Sequence, residues 1–341
     1  MSDIAALARE AYAHGWVMSN GPMTERVKAG CVTAVALACE HAGDPSILEA
    51  TLQLGSLEGT WAAIYERREK LYTTHIAAVT KAYRALCTDL DVADEIRRLR
   101  RALNLNESTT QNQQDHDDLV AAAAAAATRI AHQTLNDPHT PQYKTTIAAI
   151  SDALINAEAE GTAGAIAIAA EQIGKTGINF DLAFQDAHDA IRDLDAYRSD
   201  AQGWLTKIVD GTTTDLSRTL AKVAGKDGSY DDMVTATDNI LDGDHRAVDS
   251  SVDLAMGLSF TRGALAWFGQ QGVTTVDFLT AGAGVCPICL KAEAGNPWPI
   301  NSAPQPSLHP SCRCSLQPST SQQGFSFDVN HYLIGVQSDV V

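Results

Sequence analysis

Cys286-Pro287-Ile288-Cys289 and His309-Pro310-Ser311-Cys312-Arg313-Cys314, separated by nineteen residues, place five potential metal ligands in one short stretch of chain. Six prolines stand between positions 295 and 318 of the same stretch. Proline fixes φ and removes a backbone donor, so most of this segment is barred from regular helix and from the middle of a sheet. Such a segment takes a fixed shape only where specific anchors hold it. A C-x-x-C knuckle presents two thiolates to one ion, and the distant group can close a tetrahedral shell around Zn2+ with sulfur ligands near 2.3 Å. Five donors compete for four places. Cys286 and Cys289 form the first pair and Cys312 and Cys314 the second, with His309 either replacing one of them or acting as a donor behind the ligands. A filled shell leaves no position for a bound water, which points to a structural ion and away from metal-assisted hydrolysis. Thiol exchange by C-P-I-C is the competing reading, since C-x-x-C at a helix start after a strand also serves that chemistry.

The other three cysteines, Cys31, Cys39 and Cys87, are scattered through helical patterns, so the seven do not form the framework of a small disulfide-bonded domain. Cys31, Val35 and Cys39 share one helical face and read as small buried side chains. With 341 residues, 45% of them hydrophobic, the chain has material for two or three cored units. Its formal charge of -17, from 42 acidic and 25 basic side chains, repels nucleic acid and anionic membranes at long range. No secretion signal is expected from the amphipathic opening M-S-D-I-A-A-L-A-R-E. The most apolar uninterrupted run, residues 119–127, is far shorter than the roughly 20 residues that span a bilayer, so no membrane association is expected.

Most of the chain reads as helix. Ile4, Leu7, Ala8, Ala11 and Tyr12 recur on one face. Trp61, Ile64, Tyr65, Leu71, Ile76, Val79, Tyr83 and Leu86 sustain a second helical stripe, and Val92, Ile96, Leu99 and Leu103 a third. Arg97, Arg98, Arg100 and Arg101 surround the third stripe, offset by Asp91, Asp94 and Glu95; they read as a solvated face, with nucleic acid or an acidic protein surface as the alternative. The polar run 104–118 is the best internal boundary in the first half. Seven alanines at 121–127 favour helix but offer only a shallow packing surface. Further helical patterns run through Ile147, Ile150 and Leu154; through Phe180, Phe184, Ala187, Ile191 and Leu194; through Trp204 and Ile208; and through Leu216, Leu220 and Val223. Gly161, Gly164, Gly174 and Gly177 read as punctuation, as do Asp210-Gly211 and the run 225–228. A helix ending near Trp267 and a turn at 269–272 lead to a β-rich run, 273–280, with Val276 and Phe278 on one face. After a polar linker, Phe325, Phe327 and Val329 alternate, and 331–336 reads as a final strand or a strand donor to a neighbour.

The expected fold is mainly α, with long alanine-rich helices and a small C-terminal α+β zinc-binding module. The expected divisions are 1–105, 106–247, 248–318 and a tail, 319–341. Other chemistry is weakly signalled. Gly174-Lys175-Thr176 matches the end of a phosphate loop, but Ala169 occupies the place of its first glycine and the run reads as a helix boundary. No hydrolase or dinucleotide motif is present, so no enzyme is expected.

The run F-T-R-G-A-L-A-W-F-G-Q-Q-G-V-T-T-V-D-F-L-T at 260–280, followed by C-P-I-C and H-P-S-C-R-C, resembles the C-terminal domain of phage minor head proteins of the Mu F-like and SPP1 gp7-like family. The resemblance covers roughly 248–318. Arg262 takes the position of the family's helix arginine, Trp267 and Val276 sit in the flanking helix and strand, and Cys286, Cys289, His309, Cys312, Arg313 and Cys314 match the motif. Phe278 stands where tryptophan is common, and Gly284 where an acid often stands. The resemblance implies a structural minor capsid protein associated with the portal or the inner head. Its partners would be the phage portal protein or the major capsid protein, with at most weak DNA contact. It would be made in the host cytoplasm and carried in the virion. The alternative it leaves open is a zinc-containing DNA-contacting factor for genome packaging or ejection.

Overall fold

A computed structural model describes residues 45–88, 90–103, 114–135, 137–226, 229–242, 246–280, 286–309, 312–319 and 327–334. The helix expected over the first residues and the face shared by Cys31 and Cys39 lie outside these. The architecture is mainly helical, with a small C-terminal α+β region: α1 (Pro45–Cys87), α2 (Val92–Ala102), α3 (Gln114–His132), α4 (Pro141–Gln172), α5 (Phe180–Ala190), α6 (Leu194–Ala224), α7 (Tyr230–Asp242) and α8 (Arg246–Gln270) precede β1 (Thr275–Leu279), α9 (Pro287–Ala294), β2 (Trp298–Pro299) and β3 (Ser315–Pro318). Among the described residues, no helix is long and apolar enough to cross a membrane.

The described chain divides into two compact units, each drawn from separate segments: one from within Met1–Tyr72, Ile155–Arg192 and Met256–Val341, the other from Thr73–Leu154 and Asp193–Ala255. Three of the boundaries fall inside α1, α4 and α8.

In the second unit, the alanine run buries Ala123, Ala126 and Ala127, and with Ile130 and Ala131 they pack α3 closely on α6. Small side chains let two helix backbones approach, which recovers packing that a shallow surface would otherwise forgo. Val92, Ile96 and Leu99 bury the face of α2, and Asp91 caps it by accepting from Asp94 N at 3.1 Å. Gly211 does not break a helix as expected: α6 runs straight through it. A Cβ there would stand 2.9 Å from the Cβ of Ala247 on α8, so the glycine serves a close helix approach. The expected helix through Leu194 instead stops at Ala190, because Asp193 caps α6 by accepting from Ala196 N at 3.0 Å.

The first unit repeats this use of glycine. Gly161 and Gly164, read as punctuation, lie inside α4, whereas Gly174 and Gly177 do follow its end, both with positive φ. A Cβ at Gly161 would lie 1.9 Å from the carbonyl oxygen of Phe260, and one at Gly263 would lie 2.0 Å from that of Glu158, so α4 and α8 cross backbone to backbone. Gly161→Ala gains about 1 kcal/mol of helix propensity, but forcing the backbones apart costs about 3 kcal/mol or more. Chemical denaturation should therefore show a net loss of roughly 2 kcal/mol; a stabilised variant would contradict the crossing.

Among the described residues, three antiparallel strands follow in the order β2-β1-β3, with Val276 opposite Trp298 and Phe278 opposite Leu316. Within the sheet, prolines stand on the two edge strands, Pro299 in β2 and Pro318 in β3, and Val276 and Phe278 are fully buried on the expected shared face. The tail departs from the strand-donor reading. Phe327 and Val329 are buried in the core of their own unit, and Leu333 bridges to Ile178 with Ile334 N donating to Gly177 O at 2.8 Å. The chain itself satisfies these backbone groups.

Candidate metal centre

Gly272, at φ 77, turns the chain from α8 into β1. The central strand then sets the position of α9. Asn296 brackets Phe278, accepting from its N–H at 2.7 Å and donating to its carbonyl at 2.9 Å. The Glu293 carboxylate accepts from Thr280 N and Oγ1 at 3.2 and 2.9 Å. Trp298 Nε1 donates to Ala292 O at 2.7 Å, closing the other end of the helix. Cys286 is the N-cap of α9, its sulfur accepting from Cys289 N at 3.4 Å, and Pro287 occupies the first turn, where no N–H is needed. One turn of helix thus aims two sulfurs the same way.

The second group rests on a loop shaped by Ser307, a non-glycine residue at φ 81. That loop lies hard against α8: a Cβ on Gly257 would come within 1.6 Å of Ser307 Oγ. Cys312 N donates to His309 O at 3.1 Å, and the chain then enters β3. Cys289, Cys312 and Cys314 are almost wholly buried, Cys286 is half-buried, and none of the four is in a disulfide. They share one hydrophobic core with Ala163, Ala169, Trp267, Phe268, Val276 and Phe278.

The five expected donors fall into two overlapping groups. The ligand atoms of Cys286, Cys289 and His309, and those of Cys289, Cys312 and Cys314, each lie within 4.8 Å throughout; Cys289 belongs to both. Two sulfurs bound at 2.3 Å to one tetrahedral ion stand about 3.8 Å apart, and a sulfur and an imidazole nitrogen about 3.5 Å apart. Here Cys289 Sγ is 3.8 Å from Cys312 Sγ and 3.5 Å from His309 Nε2. A disulfide would need the sulfurs near 2.05 Å.

The thiols are unequal. Cys312 is pulled down to about 4, first by a hydrogen bond from Cys314 and then by backbone N–H groups of Cys314, Ser307 and Leu308. Backbone N–H donation at the start of α9 lowers Cys286. Burial pushes Cys289 up to about 12. A lowered cysteine at a helix start also suits thiol exchange, but Cys289 faces Cys312 and His309, and a cation is what would let a buried thiol ionise there. The cluster can hold a metal ion.

Beside Cys312 and Cys314, Arg313 pairs with Glu69 and lies over the Tyr72 ring at 5.1 Å; Arg262, on α8, pairs with Glu158. Tyr65 and Gln172 hold β3 through Ser315 Oγ at 3.2 Å and Pro318 O at 3.0 Å. Sequence reasoning missed Arg68. Its spacing was a usable signal, since it falls at i+4 between the buried Ile64 and Tyr72. Gly284 lies outside the described residues. No protein-family model, no curated protein and no solved structure matches the chain.

Proposed function

We propose that the chain is a structural minor head protein of the Mu F-like and SPP1 gp7-like kind, working beside the portal or on the inner face of a phage head, with one Zn2+ as a structural staple. The observation that carries the zinc reading is the pair of separations around Cys289, which fit ligands of a single tetrahedral ion. Four thiols and one imidazole offer more donors than zinc takes, leaving no place for a reactive water. The bound ion supplies cross-linking. Four of Cys286, Cys289, His309, Cys312 and Cys314 would hold it, and the proline-rich chain between them would gain a fixed path. Support for the family reading is the residue order along α8, β1 and α9, in which Arg262, Trp267 and Val276 precede the ligands as the resemblance implies.

A protein partner, portal or major capsid, is favoured over DNA by the arginines of α2. Arg97 pairs with Asp94, while Arg98 and Arg129 share the buried Glu95. Side chains already paired with acids release fewer counterions from phosphates, so DNA binding is expected to be weak. Pull-down from assembling heads with and without portal, together with duplex binding between about 50 and 200 mM salt, tests both halves. The expected result is portal-dependent retention and DNA binding lost at the higher salt. Tight DNA binding at 200 mM salt without portal-dependent retention would transfer the protein to packaging or ejection.

A further inference from the structure

Adjacent arginines on α1 meet opposite fates. Arg67 is partly exposed and is satisfied by two carboxylates, Glu160 at 2.7 Å and Asp181 at 2.8 Å. Arg68 is 1% exposed, and among the described residues its hydrogen bonds end on carbonyl oxygens alone, Cys312 O at 3.3 Å and Cys314 O at 3.4 Å. Its Nε is buried without an acceptor among the described residues. The rings of Tyr72 and Phe260 lie 5.0 and 4.7 Å from its guanidinium carbon. A guanidinium does not escape burial by losing its proton, so an interior site of this kind needs negative charge nearby. Two carbonyls and two rings supply only partial charge.

The carbonyls it bonds belong to two cysteines of the candidate metal centre. A divalent ion bound by four thiolates carries a net charge of about −2, and by three thiolates and a neutral imidazole about −1. Either shell is an anion inside the core, and Arg68 bonds the backbone of two of its cysteines. We propose that Arg68 is a positioning residue of the metal centre: it fixes the C-R-C loop through the carbonyls of Cys312 and Cys314, and its buried positive charge offsets the thiolate-rich shell. Each charge compensates the other, so the arginine slows ion loss without touching the ion. This rests on the metal reading of the Cys/His cluster.

The test uses the full chain loaded with Zn2+ and follows release to excess chromogenic chelator for wild type, Arg68→Lys and Arg68→Met. Groups behind metal ligands are typically worth 10- to 100-fold in affinity, so Arg68→Met should release zinc at least about tenfold faster, and Arg68→Lys, which keeps the charge, within about threefold of wild type. With Co2+ in place of zinc, the thiolate-to-metal charge-transfer band of Arg68→Met should move to longer wavelength, because the sulfurs lose a stabilising positive charge; a packing role would leave it in place. Wild-type release or an unmoved band in Arg68→Met overturns the inference, as does Arg68→Lys behaving no better than Arg68→Met. Should Arg68→Met fail to fold, Arg68→Lys decides alone: more than about threefold faster release overturns the inference. A wild-type chain that binds no zinc would remove the metal reading itself, an outcome separate from all of these.

Discussion

Cys289→Ala should lose the metal altogether, falling from about one equivalent to less than about a tenth after dialysis, since structural zinc sites in small folds carry about 10–16 kcal/mol of apparent binding energy. Cys289 is the severest choice because it belongs to both groups of converging donors and makes both separations that fit a tetrahedral ion. Its loss should release the chain over 286–318, visible as a loss of near-ultraviolet signal from Trp298. Most far-ultraviolet helical signal should persist, because most helical residues lie outside that stretch. Cys87→Ala is the matched control. That thiol is equally free and buried, and burial pushes it up to about 12, yet it belongs to neither donor group. Metal content should be unchanged in it. Retention of a full equivalent by Cys289→Ala would show that the ion sits elsewhere.

Phe278→Ala should cost about 3–5 kcal/mol, the usual range for removing a fully buried phenylalanine, and this is a large share of the roughly 5–15 kcal/mol that holds a typical domain together. Phe278 is 0% exposed, central in β1, and shares a core with Trp267, Leu316 and the buried cysteines. The cavity would open beside the ligand loop, so metal release should accelerate together with the loss of stability. Equilibrium denaturation of metal-loaded protein is the measurement, and a cost below about 1 kcal/mol would contradict a tightly packed core around Phe278.

The strand and the clustering of the cysteines and His309 were legible because their chemistry is local. Alternation of Val276 and Phe278 marks a strand, and cysteine spacing marks a knuckle, whatever the rest of the chain does. The stripe through Val92, Ile96 and Leu99 was legible for the same reason. Glycine misled where its role was set by a partner helix: Gly161 and Gly211 serve close approaches to Phe260 and Ala247, residues far away in sequence. A turn glycine and a crossing glycine look alike in one dimension. Arg68 was hidden similarly, since a charged residue in the run E-R-R-E reads as solvent-facing until the carbonyls of Cys312 and Cys314 arrive 244 and 246 residues later. The tail escaped because Ile178 and Gly177, which take up its backbone groups, carry no strand pattern of their own.

The central claim is that the C-terminal fold of this protein is closed by one metal ion. Elemental analysis of protein purified without added metal tests it most directly. The expected result is close to one equivalent of zinc per chain, removed by strong chelation together with the fixed structure of 286–318. Less than about a tenth of an equivalent, in protein whose C-terminal region is nonetheless fully ordered, would contradict it.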